Sequence, residues 1–341
     1  MRVSGARAGY GKSLLMSAAP VANRDPSLAV LDEGIEKHGG EPLVRATGPR
    51  GLGPYRGYAE VLGVLRNLAA RGARIVPIGR SVRGEPLLSV QLGNANPGVR
   101  ARTSVVLAGL HPIEWIGVES ALALLGMLVN RDLGDRAVFA VPIANPDGFL
   151  HVERNLRLKR RRLVRHNARG VDLNRNFDCR WGKKNLPARL VPWLFRPGSY
   201  PASEPEVSAI ANALGMRRVD RALSLHSFGG AVLYPSTHRW LPPADAAEHR
   251  RWAQRIAERA DDQAYRVLPS SWFGYGLTMG GVELDWFHER HGALSLLVEC
   301  ARGGFSWSPS RWIEPFAWFN PRRPDATANR IAAASLPFVL G

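Results

Sequence analysis

TSVVLAGLHPIEW (residues 103–115) decides how this chain is read. Residues 103–110 form an apolar run with the composition of a strand buried on both faces. His111 follows it, Pro112 forces a sharp turn, and Glu114 stands three positions after His111. A turn of that kind lets the imidazole and the carboxylate fold back onto a common point. A second histidine, His226, closes another apolar run, VDRALSLHS (residues 219–227). Two imidazoles and one carboxylate are the donor set of a catalytic zinc, with three protein ligands and a fourth position left to water. His111, Glu114 and His226 are therefore the expected ligands of one Zn²⁺ per chain. His38 and Glu41 repeat the spacing in a Gly-rich stretch with no strand before it. Ligands of open α/β sheets gather at the carboxyl ends of strands, where His111 stands and His38 does not.

Outward from this stretch the chain alternates strands and helices. YAEVLGVLRNLAARG (residues 58–72) has helical spacing and a glycine stop. RIVPIGRSV and PLLSVQLGN read as paired strands, and VESALALLGMLVN as a helix. RAVFAVPIAN is a further strand ending at Asn145, followed by a long loop. Ser203, Pro205 and Glu206 mark a helix start through a cap, a first-turn proline and a carboxylate three residues on. VDRALSLHS, RWAQRIAERADDQAY, ALSLLVEC and TANRIAAASLPFVL continue the alternation as strand, helix, strand and helix. This pattern predicts an α/β fold, a mostly parallel mixed sheet covered by helices on both faces. Residues 1–53, rich in Gly, Pro and Arg with weak periodicity, read as a loose N-terminal arm, and residues 54–341 as the catalytic body.

His111, Asn145, His226 and Glu299 each close an apolar strand, so the topology puts them on one rim of the sheet. Any one of them is ordinarily a polar residue ending a strand; metal-ligand chemistry recurring along one edge is a site. Glu299 ends ALSLLVE, where a carboxylate is costly unless a cation or an activated water meets it. Such a group beside zinc accepts a proton from water at neutral pH. The loop RHNARGVDLNRNF (residues 165–177) crowds donors around Gly170. In it, Arg175 and Asn174 suit a carboxylate, the guanidinium by a two-bonded fork and the amide by a third donor. The preceding Lys159 to Arg162 read as a solvated surface run.

With 341 residues and 45% apolar content the chain can bury a full core. No apolar run approaches the roughly 18–20 residues needed to span a bilayer. Near the N-terminus, LLMSAAPVA is too broken for a good signal peptide. The two cysteines, Cys179 and Cys300, read as free thiols of a reducing compartment, hence a cytoplasmic expectation. A net charge of +17 favours anionic partners, acidic peptides among them. A nucleic-acid module is disfavoured, since LKRRRLVR (residues 158–165) has no interleaved aromatics and no reader motif. Oligomeric state is left open.

HPIEW, NPDGF, GVDLNRNF, SLHSFGG and LLVEC, in that order, resemble the zinc carboxypeptidase family, the carboxypeptidase A-like or funnelin metallopeptidases. The similarity runs from about Pro54 to the C-terminus. It implies the carboxypeptidase fold and a metallocarboxypeptidase acting on peptides with a free C-terminal carboxylate. Zinc would sit on His111, Glu114 and His226, with Glu299 as general base and acid. Asn174 and Arg175 would bind the terminal carboxylate, Arg165 would stabilise the oxyanion, and Tyr275 would be the mobile tyrosine that closes on substrate. Arg157 competes with Arg165 for its role: murein-peptide amidases and cytosolic carboxypeptidases favour Arg165, pancreatic-type enzymes Arg157. Two departures stand out. Ile113 occupies the place where the digestive enzymes have arginine, and Leu284, flanked by Glu283, falls near the position that selects the terminal side chain. The alternative on the same scaffold is a zinc-dependent amidase or deacylase of murein peptides or N-acyl amino acids.

Overall fold

The computed structural model describes residues 26–39, 55–93, 101–183, 189, 191–215, 217–273, 278–303 and 313–341. Its strands are β1 (Arg74–Arg80), β2 (Pro86–Gly93), β3 (Arg102–Ala108), β4 (Arg136–Val141), β5 (Arg218–His226), β6 (Ala231–Tyr234), β7 (Arg266–Pro269) and β8 (Leu294–Glu299). They form one sheet in the order β1-β2-β4-β3-β5-β8-β6-β7. The central β4, β3, β5 and β8 run parallel, while β2 and β6 join them antiparallel on either side. The mixed, mostly parallel sheet is the one that the alternation predicts.

Helices α1 (Pro26–His38), α2 (Tyr58–Ala70), α3 (Trp115–Leu128), α4 (Pro146–Arg157), α5 (Pro205–Leu214), α6 (Ala246–Ala260), α7 (Glu283–His291) and α8 (Pro324–Leu340) cover both faces. One face carries the larger core, in which residues of α1, α2, α3, α6 and α8 pack on alternate residues of the strands, such as Val106, Leu223 and Leu296. The other face is covered by α5 and α7, with Val207, Ile210 and Phe287 against Val105, Leu107 and Ala222. That alternation of neighbours along β3 is the period of two that a strand imposes on its side chains. α6 shows the helical counterpart: His249, Ala253, Ile256, Ala257 and Ala260 are buried on a single stripe.

Five elements depart from the sequence expectation. The region after Asn145 is helix α4, not a long loop; Asn145 caps it, accepting the Gly148 N–H at 3.0 Å, and Pro146 opens the first turn. Within the arm, Pro26–His38 is helical, and Leu31 is fully buried in the main core with Leu28 and Ile35 packed alongside it. The remainder of residues 1–53 lies outside the described residues. β6 and β7, four residues each, escape a periodicity reading because they are too short to show one. α5 is capped at Glu204, one residue later than the predicted Ser203.

One close approach sets the geometry of the site. Gly117, in the first turn of α3, lies so near the end of β5 that a Cβ there would stand 2.5 Å from the Leu225 carbonyl oxygen. Glycine at this position lets the N-terminus of α3 meet the C-terminus of β5.

Candidate active site

β5 and β8 are neighbours in register, His226 opposite Glu299, so both side chains arrive at the same rim. His111 follows β3, and Glu114 is the residue preceding α3. Four residues from four different elements thus converge. His111 Nδ1 lies 2.9 Å from Glu114 Oε1, His226 Nδ1 lies 2.9 Å from Glu114 Oε2, and the two Nδ1 atoms are 3.2 Å apart. The Ser227 N–H donates to Glu114 Oε2 at 3.1 Å and holds the carboxylate in place.

The outer nitrogens explain why two imidazole nitrogens can face each other. His111 Nε2 is 3.0 Å from Asp172 Oδ1 and His226 Nε2 is 2.9 Å from Glu283 Oε1. A carboxylate can only accept, so each Nε2 carries the proton and each Nδ1 of a neutral ring turns a lone pair inward. Two inward lone pairs beside a carboxylate repel unless a cation sits among them. Ligands about 2.0–2.1 Å from one tetrahedral ion would lie roughly 3.3 Å from each other. The triad fits zinc.

A second cluster, Asp245, His249 and His288, has comparable residue types. There His249 Nε2 accepts the Ser295 N–H at 3.2 Å, so its Nδ1 carries the proton and offers no lone pair to a metal. His38, with the same spacing to Glu41 as His111 to Glu114, is on α1 and pairs with Glu85 at 3.0 Å. Glu41 lies outside the described residues.

Electrostatics separate the carboxylates. Burial alone would lower His226, but without metal Glu114 and Glu283 outweigh it and raise the imidazole well above its usual range. Burial alone would raise Glu114, but His111 and His226 outweigh it and bring its pKa down to about 2. Burial works likewise on Asp172, where Arg165, Arg175 and His111 prevail and hold it well below the usual range. Glu299 goes the other way, pushed up to about 8 by burial and by Glu114, against the pull of His226 and Arg165. Its Oε2 is buried with no hydrogen-bond partner. This carboxyl keeps its proton at neutral pH until a positive charge stands beside it.

A cavity of about 250 Å³ opens over these residues. Arg165, Asn174 and Arg175 line it together with His111, Glu114, His226 and Glu299. Arg165 Nε donates to Asp172 Oδ2 at 2.9 Å. Arg157, its rival in the sequence reading, instead binds Glu153 on its own helix at 2.7 Å and does not reach the cavity wall. Arg175 is buried, with its Nε unpartnered and its guanidinium 5.5 Å from the Phe195 ring centre. Asn174 Oδ1 accepts the Glu283 N–H at 3.1 Å, which leaves its amide NH₂ for the cavity. Tyr275 lies outside the described residues.

Leu284, at the expected side-chain-selecting position, is buried against Ala231, Leu233 and Leu297 and does not line the cavity. Val282 lines the wall instead, beside Leu233, Leu297 and Met279, with Thr237 and Ser270 as hydroxyls. Ile113 is buried in the main core. Asp172 and Glu283 are site residues that the sequence reading does not single out as such; Asp172 was legible as the acid of the VDLNR stretch, whereas Glu283 depends on which way a first-turn side chain points. Another cavity, of about 340 Å³, lies between Asp261, Arg302 and Arg330, and both arginines are paired with that aspartate.

The zinc carboxypeptidase family profile matches residues 60–317. Carboxypeptidase A6 of Mus musculus is 31% identical over 236 residues, covering 63% of this chain and 52% of that protein. The chain spans about half to two thirds of the length of the curated relatives it matches, 48% to 66%. Among solved structures, carboxypeptidase A from Helicoverpa armigera superposes with a TM-score of 0.66 at 21% identity, covering 92% of this chain and 81% of that one. Murein-tripeptide amidase from Escherichia coli O157 superposes at 0.50 with 21% identity, over 80% of this chain and 95% of that one. These superpositions bear on the fold alone. The two histidines after strands and the glutamate at a helix start, with a buried carboxylate beside them, stand within a chain that belongs to the zinc carboxypeptidase family.

Proposed function

We infer that this protein is a zinc metallocarboxypeptidase, hydrolysing the C-terminal amide bond of peptides. The observation that carries the reading is the juxtaposition, in one cavity, of the metal triad, the Glu299 carboxyl and a buried guanidinium with an unspent N–H. A buried cation beside an open cavity calls for an anionic ligand. A terminal carboxylate between Arg175 and Asn174 answers that call and places the last peptide bond next to Glu299, so that binding fixes where the chain is cut.

The roles follow from each group's surroundings. His111, Glu114 and His226 would hold zinc, which would supply a water of lowered pKa and an electrophile for the scissile carbonyl. Glu299 takes a proton from the attacking water and returns it to the leaving amine. Arg165, anchored by Asp172, donates to the oxyanion as charge develops. Tyr275 is proposed, from family resemblance alone, to close over the substrate. The wall of Val282, Leu233, Leu297 and Met279 supports an apolar terminal side chain. Acidic character further along the peptide would suit the surface charge, and the two buried free thiols are the support for a cytoplasmic setting.

A mass-spectrometric screen of the zinc-loaded protein against a mixed peptide library tests the proposal. Loss of single C-terminal residues, apolar ones first, is expected. Cleavage confined to murein peptides or N-acyl amino acids would instead favour the amidase or deacylase.

A further inference from the structure

Glu283 touches both halves of the site without lining its cavity. The side chain is fully buried, and its Oε1 lies 2.9 Å from His226 Nε2. The backbone N–H of the same residue donates to Asn174 Oδ1 at 3.1 Å. Its other oxygen, Oε2, is buried with no hydrogen-bond partner. Among the described residues no lysine or arginine comes within ion-pair distance of this carboxylate; His226 is its partner. Asp172 holds the other histidine in a different setting. Asp172 has Arg165 at 2.9 Å to meet its charge, and Glu283 has no such cation. A buried carboxylate with half its acceptors idle is expensive, and the first turn of a helix offsets only part of that cost.

The local chain is built to deliver this residue. Gly280 and Gly281 pass so close under neighbouring carbonyls that Cβ atoms would stand 1.8 Å from Arg180 O and 2.0 Å from Arg175 O. α7 then begins at Glu283, held by Trp286 and Phe287 in the core of the second face.

We propose that Glu283 is a positioning residue for His226. It accepts a hydrogen bond from the Nε2–H, so that the Nδ1 lone pair faces the metal, and its carboxylate, with no lysine or arginine in ion-pair contact among the described residues, strengthens the ring as a donor and the site's hold on a dication. Its backbone N–H simultaneously orients Asn174 with the NH₂ toward the substrate carboxylate. One residue thereby ties the metal triad to the carboxylate clamp while touching neither metal nor substrate. The inference rests on the zinc reading of the triad.

The test compares wild type with Glu283→Ala and Glu283→Gln as full chains. Zinc affinity is measured by competition with a chromophoric chelator at fixed pH, metal-free stability by urea unfolding, and preference by kcat/KM on leucine-ended and lysine-ended peptides. Glu283→Ala should weaken zinc binding about 10- to 100-fold. Glu283→Gln keeps an oxygen for Nε2 but no charge, and should fall between the two; it decides the matter if the alanine variant does not fold. The leucine-to-lysine preference should not move. Zinc affinity within about twofold of wild type in the variants that fold would overturn the proposal. So would a changed preference with zinc affinity intact, which would make Glu283 a specificity residue, or a loss seen only in metal-free stability, which would confine it to packing. A wild type that takes up no zinc would sink the metal reading itself, whereas a zinc-replete wild type with unaffected variants would sink this inference alone.

Discussion

Glu299 occupies a setting that works against its charge: buried, close to Glu114, with one oxygen unpartnered. A folded-state pKa raised from 4.5 to about 8 means that the folded protein binds a proton there that the unfolded chain releases. Stability from this group is therefore full below about pH 4.5 and is lost as pH rises toward 8. Metal-free Glu299→Gln should match wild type at low pH and become more stable through that window, by an amount on the order of a few kcal/mol above pH 8 in urea unfolding. The same variant should keep its zinc and lose turnover by about 10²- to 10⁴-fold, since an amide cannot carry the proton. Near-normal turnover in a zinc-replete sample would remove Glu299 from the reaction. His111→Ala should lose stoichiometric zinc by metal analysis, while His38→Ala, which breaks contacts with Glu85 and the Tyr58 ring, should retain it. His111, His226 and Glu299 were legible in the sequence because each follows or ends a strand, and strand ends in such a sheet share an edge; Glu114 was legible from its spacing three residues after His111. Glu283 was not legible as a partner of His226, because spacing cannot show that Val282 faces the cavity while Glu283, the next residue, meets the histidine.

At the scale of elements, the site depends on how closely α3 approaches β5. Gly117→Ala would put a methyl group 2.5 Å from the Leu225 carbonyl and so push α3, with Glu114 at its start, away from His226. Zinc affinity should fall although no ligand is changed, and chelator competition reads the loss; unchanged affinity would mean that the helix end can shift without cost. α1 makes a different prediction. Leu31 is fully exposed to the core and to no water, so Leu31→Ala should cost about 2–5 kcal/mol in urea unfolding, where a loose arm would show almost none. The long helices and central strands were legible because their apolar residues recur over many positions. α4 was hidden by its start, since Asn145-Pro146-Asp147-Gly148 has the composition of a turn, though its cap and first-turn proline are also helix-start signals. α1 was hidden by its Gly- and Arg-rich surroundings, and β6 and β7 by their length.

For the whole molecule, the net charge of +17 includes a basic run that precedes a cavity residue in the chain. Lys159, Arg160 and Arg162 are exposed three to six residues before the cavity-lining Arg165. Peptides with acidic residues upstream of the cut should therefore be hydrolysed with a kcat/KM that falls as salt rises, and neutral peptides much less so. Equal salt dependence for the two would separate the surface charge from substrate capture. The family and the sheet were legible from ordered motifs and alternation, whereas the apolar part of the cavity's lining was not, because Leu233 lies on the short β6 and Met279 and Val282 on connections whose course no periodicity sets. The most direct measurement of the whole account is initial-rate kinetics on matched free-acid and amidated peptides for the zinc-loaded wild type, Arg175→Ala and Arg165→Ala. A buried charge pair deleted on one side costs roughly 2–5 kcal/mol. Wild type should therefore strongly prefer the free acid, Arg175→Ala should lose that preference, and Arg165→Ala should keep it while losing turnover. Equal wild-type rates on acid and amide would contradict the carboxypeptidase account.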